Sequence, residues 1–233
     1  MLKRLVIGSI GVLATTVAAQ TPAELELFKA INAAVPAPTP ASVNAEAMTL
    51  LKTMVERKEA ACLPTDIAVG EIRPATASKL AAAGINSKQL KNIWTTFGKL
   101  EGCPSAAPAR FMVIRMADNS LLVRMVNTGE TLTTTSQMRD TSASAAMAAM
   151  IAVRNAVPDC KGDDMSMGDT RIATRAPDLG PDFYGARYAG SWSEVWRFKV
   201  CGREADVPLD FRADGTGGVY SNIPGAEVSL VKP

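Results

Sequence analysis

The residue types that the commonest enzyme mechanisms require are missing from this chain. Its 233 residues include no histidine, which removes the usual general base, the Ser-His and Cys-His nucleophile pairs, and a frequent zinc and copper ligand. The sequence also contains no glycine-rich phosphate loop and no Gly-x-Ser-x-Gly motif. An enzyme built from this sequence would depend on carboxylate, lysine, tyrosine or serine side chains. We therefore expect a protein without enzymatic activity.

Carboxylates are the first remaining source of chemistry. A hydrolase can work with two acids of which one has a raised pKa. Such an enzyme would need Glu194, Asp206 or Asp210 to meet another acid in a concave pocket. A further set of charged residues occurs twice, once after Cys62 and once after Cys160. Because it is present in both places, we interpret it as structural: an acid in a turn and an Arg–carboxylate pair. The members of this set are Asp66 and Asp164, Glu71 and Asp169, and Arg73 and Arg171.

Metal binding is not expected. Asp163, Asp164 and Asp169 do not have the spacing of an EF-hand calcium loop. The chain has 11 methionines, and methionine sulfur can bind Cu(I). Met147 and Met150, however, fall on one helix face, where core packing is the expected role. We predict neither a metal site nor a cofactor.

Aromatic residues give the clearest candidate for a binding site. Six of the twelve in the chain lie between residues 183 and 198, and all three tyrosines belong to the second half of the sequence. Tyr184 and Tyr188 precede a predicted strand that begins near Trp192. A loop that carries such rings can present a flat face to a glycan or a peptide. We predict Tyr184, Tyr188 and Trp192 as ligand-binding residues.

Two segments of the chain are similar and align without a gap, with six identities in fifteen positions. They are CLPTDIAVGEIRPAT, which begins at Cys62, and CKGDDMSMGDTRIAT, which begins at Cys160. The spacing from Cys62 to Cys103 equals that from Cys160 to Cys201. Four cysteines in an exported chain most simply form two disulfides. The duplication selects the pairs Cys62–Cys103 and Cys160–Cys201 among the three connectivities, one bridge inside each copy.

Residues 1–19 have the features of a signal peptide. Lys3 and Arg4 form a positive start, Leu5 to Val17 is an apolar run, and small residues up to Ala19 permit cleavage. Without Lys3 and Arg4 the chain has 23 basic and 23 acidic residues. A formal net charge of zero argues against binding to nucleic acid. We expect a periplasmic or secreted protein with no integral membrane segment in its mature part.

The rest of the chain is predicted to be an α+β protein formed by tandem duplication. Residues 20–41 are expected to form an N-terminal helix and a proline-rich spacer, followed by repeat copy 1 at residues 42–137 and repeat copy 2 at residues 138–233. In each copy one helix packs on an antiparallel meander of three to four strands and one internal disulfide closes the unit.

Two details of this organisation depend on local helix signals. The helix of the second copy is predicted from about Thr141 to Asn155, with Asp140 as its cap. Between the cysteines the copies diverge, and the first copy is expected to contain two short helices, over residues 78–83 and 87–94. Divergence within a shared scaffold is where binding sites are usually found.

The segment from Trp192 to Phe211 contains Glu194-Val195-Trp196 and Val200-Cys201-Gly202-Arg203. It resembles a class of uncharacterised exported proteobacterial proteins, in which a tryptophan strand runs into Cys-Gly-Arg and an alternating hairpin. The first copy departs from this pattern at Cys103-Pro104. The resemblance implies periplasmic or secreted placement, and it implies no activity.

These observations favour a non-enzymatic exported protein of two disulfide-stapled repeats that acts by binding or as part of an envelope assembly. Its partner would be a protein or glycan of the cell envelope. One alternative is a secreted inhibitor of a protease or muramidase, which would present an exposed loop between Thr76 and Ile93 or between Thr174 and Ser191. A carboxylate-dependent hydrolase is the second alternative.

Overall fold

The structure, a computed structural model, describes residues 23–57, 59–60, 62–75, 89–104 and 107–231. Its helices are α1 (Ala23–Ala34), α2 (Pro40–Glu56) and α3 (Thr135–Ala156). Its strands are β1 (Asp66–Val69), β2 (Arg73–Pro74), β3 (Leu90–Glu101), β4 (Ala109–Met116), β5 (Leu121–Gly129), β6 (Ser166–Arg175), β7 (Asp182–Phe183), β8 (Ala186–Arg187), β9 (Ser191–Val200), β10 (Arg203–Ala213), β11 (Val219–Asn222) and β12 (Ser229–Leu230).

Ten strands form one sheet in the order β1-β3-β4-β5-β6-β9-β10-β11, with β2 beside β3 and β12 beside β10. Neighbouring strands are antiparallel except β5 and β6, which pair in parallel through Thr128 with Asp169 and Gly129 with Thr170. The strands β7 and β8 form a separate hairpin. Helices combined with a largely antiparallel sheet confirm the predicted α+β class.

The parallel pair β5–β6 separates a first half, α2 to β5, from a second half, α3 to β12. In the first half a helix is followed by the short strands β1 and β2 and then by the meander β3-β4-β5. In the second half a helix is followed by β6 and then by the meander β9-β10-β11. The hairpin β7–β8 is inserted between β6 and β9 and has no counterpart among the described residues of the first half.

Helix α2 begins at Pro40, inside the segment that was predicted to be a proline-rich spacer up to residue 41. The Oγ1 atom of Thr39 accepts a hydrogen bond from the Ser42 amide at 3.2 Å, and Pro40 occupies the first helical position. Val43, Ala47 and Leu51 recur every four residues and are buried. This apolar stripe packs on the sheet and forms the core of the first half.

Helix α3 begins at Thr135, earlier than the predicted start near Thr141. Thr134 is the cap: its Oγ1 accepts from the Gln137 amide at 3.3 Å, and Oε1 of Gln137 accepts from the Thr134 amide at 2.8 Å. This reciprocal capping box satisfies two amides at the helix start. The prediction of Asp140 as the cap was therefore wrong, because a stronger start signal lies upstream of it.

The two long helices α2 and α3 pack on opposite faces of the sheet. Side chains alternate along β4, so Phe111 and Val113 belong to the cluster that contains α2. From the other face of the same strand, Arg110 contacts the Met138 sulfur of α3. The second core lies between α3 and β9–β10, and it includes Trp196.

Both predicted disulfides are present. Cys62 and Cys103 are joined with their Cα atoms 5.9 Å apart, and Cys160 and Cys201 with theirs 5.8 Å apart. Each bridge connects the segment after a long helix to the end of a long strand, β3 in the first half and β9 in the second. Two disulfides indicate an oxidising environment. Within the described part of the chain, no helix has both the length and the apolar character needed to cross a membrane.

One predicted helix is a strand. Residues 87–94 were expected to be helical, but β3 begins at Leu90. Ile93 pairs with Ile114 and Trp94 with Val113 of β4, and this ladder with a partner distant in sequence outweighs the local helix signal. The predicted helix at residues 78–83 and the predicted signal peptide at residues 1–19 lie outside the described residues.

Candidate functional site

The most deeply buried carboxylate of the described chain belongs to Glu194 in the middle of β9. Its side chain is 0 % exposed and lies on the inner face of the strand, between the buried residues Trp192 and Trp196. It accepts five hydrogen bonds: at Oε1 from the Leu132 amide (2.7 Å), the Thr133 amide (3.2 Å) and Trp192 Nε1 (3.0 Å), and at Oε2 from Thr131 Oγ1 (2.7 Å) and Trp196 Nε1 (2.8 Å).

Five donors use the full acceptor capacity of a carboxylate. Glu194 therefore fixes the segment between β5 and α3 against the second half and has no lone pair left for a substrate. A buried carboxylate without such partners would be strongly unfavourable. Glu194 interrupts the apolar alternation of its strand, and this interruption was visible in the sequence. The sequence did not show that residues 131–133 supply its hydrogen-bond donors.

The other two acids considered for a hydrolase lie on the opposite face of the sheet. Asp206 accepts hydrogen bonds from Arg197 Nε at 2.8 Å and Arg171 Nη2 at 2.8 Å. Partial burial acts to raise the pKa of Asp206, but the hydrogen bonds and charges of Arg197 and Arg171 together hold it below its usual value. Asp210 is exposed. Glu194 is thus separated by the sheet from Asp206 and Asp210, and these residues form no catalytic pair.

The recurring charged residues make different contacts in the two halves: Arg73 pairs with Glu71, but Arg171 pairs with Asp206 and not with Asp169. Asp164 accepts hydrogen bonds from the amides of Cys201 at 2.7 Å and Gly202 at 3.2 Å, in the turn between β9 and β10. In the first half, Asp66 accepts from Asn44 Nδ2 at 2.6 Å. No group of three or more Cys, Asp or Glu side chains within the described residues is placed to hold a metal ion.

A small pocket lies on the face of the first half that is opposite α2. Its volume is about 40 Å³ for the centres of water-sized molecules. One water needs roughly 10–15 Å³ on this measure, so the pocket holds only a few small atoms. The pocket is formed by β3, β4, the start of α3 and the turn between β7 and β8. Its lining residues are Ala75, Ile93, Trp94, Thr95, Arg110, Met112, Thr134, Thr135, Tyr184 and Gly185.

Arg110 supplies the charge of this pocket and is only 6 % exposed. Its Nη1 atom donates to the Thr133 carbonyl at 2.8 Å, and its Nε atom donates to Thr95 Oγ1 at 3.2 Å. Among the described residues, no carboxylate forms an ion pair with Arg110. Burial lowers the pKa of Arg110 to about 10, against the opposing effect of the charges of Glu194 and Asp182. The guanidinium is therefore still positive at neutral pH.

The hairpin β7–β8 closes the pocket from the second half. Its two-residue turn, Tyr184-Gly185, has φ values of 53° and 82°, as in a type I′ turn. A Cβ atom added at Gly185 would lie 3.8 Å from the Cα atom of Ala75, so the tip of the hairpin rests on the first half. A tyrosine with positive φ is uncommon and costs roughly 1 kcal/mol or more.

Of the three residues predicted to bind a ligand, the structure places Tyr184 against the cluster that contains Tyr188, whereas Trp192 lies in the separate core beneath α3. Tyr184 lines the pocket. Tyr188 is 8 % exposed and packs with Ala186 beneath the hairpin. Trp192 is 3 % exposed, stacks on Phe211 with ring centroids 5.4 Å apart and donates to Glu194. Its buried ring has no open face for a ligand, because the alternation of β9 turns it toward α3.

Of the two loops considered for an inhibitor, only the second lies largely within the described residues. There the segment from Thr174 to Ser191 contains the hairpin β7–β8, in which Asp182 and Phe183 are exposed and Ala186 is buried. The other candidate loop lies mostly in residues 76–88, which are outside the described part of the chain.

No protein-family model, no curated protein and no solved structure matches this chain.

Proposed function

We propose that this chain is an exported, non-enzymatic binding or envelope-assembly protein whose binding site is the pocket around Arg110. The observation that carries the proposal is the buried guanidinium of Arg110, which forms no ion pair with any described residue and lines a pocket closed by an aromatic turn. Buried charges are normally paired. An unpaired one beside a cavity is a reason to expect a ligand. The two disulfides support export to an oxidising compartment.

We also infer that the two halves arose by tandem duplication, with copies at residues 42–137 and 138–233. Support comes from the six identities after Cys62 and Cys160, the equal spacing of the two cysteine pairs, and the shared order of a helix followed by a meander. Helix α3 begins at Thr135, slightly before the sequence-based boundary. On this view, the hairpin β7–β8 was added in the second copy only, and its contact with the first copy formed the binding site.

Tyr184 allows a sharp test of the pocket. Asparagine is favoured in type I′ turns, particularly before glycine, so Tyr184→Asn removes the ring and improves the turn. The matched control is Tyr220→Asn, because Tyr220 is 63 % exposed on β11 and stacks on Arg212 at 5.5 Å. Tyr184→Asn should leave the protein folded, because the more favourable turn offsets lost packing of the ring against Ala186 and Tyr188.

The assay is retention of molecules from a cell-envelope extract on immobilised protein, with mass spectrometry of what is retained. We expect at least one species that the wild type and Tyr220→Asn retain and Tyr184→Asn loses. If Tyr184→Asn retains everything that the wild type retains, the pocket is not the binding site and the proposal fails.

A further inference from the structure

We infer that the Arg110 pocket is a carboxylate site, which takes the head of an organic monocarboxylate whose carbon chain lies toward Met112 and Tyr184. This inference rests on the proposed function and deepens it by naming the chemical class of the ligand. Three separate features support it: the free hydrogen-bonding capacity of Arg110, the start of helix α3, and the size and lining of the cavity.

Arg110 has donors left for a ligand. A guanidinium carries five N–H donors in a planar fork that fits a carboxylate. The hydrogen bonds of Arg110 to described residues involve only Nε and Nη1, and the Nη1 bonds go to the Thr133 carbonyl and the Met138 sulfur. Nη2 forms none with any described residue. Glu194 does not take this place, because both of its oxygens are occupied by other donors.

The first turn of α3 adds a second source of positive potential. Thr135 is the first residue of this 22-residue helix and lines the pocket. The amides of a first helical turn have no partner within the helix, and the helix dipole favours an anion at this end. The capping box satisfies the amides of Thr134 and Gln137. No described residue accepts a hydrogen bond from the Thr135 amide.

The dimensions and lining of the cavity select the ligand. About 40 Å³ of space for the centres of water-sized molecules fits a group of the size of a carboxylate, since one water needs roughly 10–15 Å³ on the same measure. The walls include the apolar side chains of Ala75, Ile93 and Met112. Among the described residues that line this pocket, Arg110 is the one cationic side chain. A single buried charge balances a monoanion, whereas a phosphate dianion would bring an uncompensated second charge into apolar surroundings.

Nitrogen–proton NMR correlation spectra provide the test. The informative signals are the backbone amides of Thr135 and Gly185 and the Nε–H group of Arg110. Butyrate, neutral butyramide and inorganic phosphate are titrated up to about 50 mM, since a fragment of few atoms should bind with a roughly millimolar dissociation constant. Butyrate should shift all three signals. If butyramide shifts them equally, charge is not recognised, and if phosphate binds more tightly, the ligand class is wrong.

Two variants test whether the Arg110 side chain and the Thr135 amide contribute to butyrate binding. Arg110→Gln should weaken butyrate binding about tenfold or more, because a charge-assisted hydrogen bond is lost, while exposed Arg124→Gln on β5 is the matched control. Thr135→Pro deletes the helix amide without harming the helix, since proline is favoured at this position and Thr134 already has an extended ψ of 162°. It should weaken binding more than Thr135→Ala, which keeps the amide.

The outcomes separate this inference from the function on which it rests. If Thr135→Pro binds butyrate with the same affinity as the wild type, the amide at the start of α3 does not contact the ligand. If the wild type shows no butyrate shifts while retention from the extract still depends on Tyr184, the carboxylate assignment fails and the binding function stands. If neither result is obtained, both fail.

Discussion

The hydrogen-bond shell of Glu194 gives a prediction whose size can be worked out from the structure. Glutamine at this position keeps the shape of the side chain but replaces one acceptor oxygen by a donor. The Oε1 position has three N–H donors, so the amide oxygen should stay there. The amide nitrogen then faces Thr131, whose hydroxyl can rotate to accept, and Trp196, whose indole N–H at 2.8 Å cannot.

The cost has two parts. One buried indole N–H is left without an acceptor, which costs about 1–3 kcal/mol. The remaining hydrogen bonds change from a charged to a neutral acceptor and weaken by up to ~1 kcal/mol each. Removal of a buried charge offsets part of this loss. We expect Glu194→Gln to lower the free energy of unfolding by about 3 kcal/mol, or Tm by roughly 6–12 °C in a chain of this size.

Denaturant unfolding followed by tryptophan fluorescence measures this effect, because Trp192 and Trp196 report on the same site. Glu204→Gln is the control: Glu204 is partly exposed and its nearest charged partners, Arg197 and Lys199, are 3.5 Å away, so its loss should cost less than about 1 kcal/mol. If the two variants are equally stable, Glu194 is not held as the structure shows and the reasoning is refuted.

Three further predictions concern the junction, the bridges and acid stability. Gly129→Ala should destabilise the protein by more than Gly215→Ala, since both glycines have positive φ but only at Gly129 would a methyl group overlap the neighbouring β6 backbone; equal thermal stability of the two variants would contradict this. Replacing both members of the Cys160–Cys201 pair by alanine should lower the free energy of unfolding by about 4 kcal/mol, measured against the oxidised wild type in denaturant, and a loss below 1 kcal/mol would argue against the bridge. The folded-state pKa of Asp206 lies below its unfolded value, so its stabilisation is present above about pH 4 and is lost as the pH falls through the folded pKa; Asp206→Asn should therefore show a shallower fall in stability below about pH 4 than the wild type.

Features encoded by short patterns were predictable from the sequence. Equal cysteine spacing identified both disulfides, and the alternation in β9 gave its buried face, including Trp196. Tyr184, which was predicted as a binding residue, lines the pocket, and its binding role is a proposal. The start of α3 was missed although Thr134 and Gln137 have capping-box spacing.

Arg110 was not predictable, because its importance depends on elements that are distant in sequence. In the sequence it is one arginine in a largely apolar strand, and arginine is common at strand edges and surfaces. Its burial requires β3, the start of α3 and the hairpin turn at Tyr184 to meet at one place. The error at Leu90–Trp94 has the same cause, since its strand ladder is supplied by β4. Local patterns contain no information about such partners.

The two buried charges act together through one peptide segment. Thr133 donates its amide to Glu194 and accepts from Arg110 at its carbonyl, so the negative charge lies near the positive one without neutralising it by contact. Glu194 therefore stabilises the fold and at the same time reduces the potential that an anion meets at Arg110. It follows that Glu194→Gln, in the fraction that remains folded, should bind butyrate more tightly than the wild type while it unfolds more easily. Weaker binding in that variant would show that Glu194 positions Arg110 rather than opposes its field.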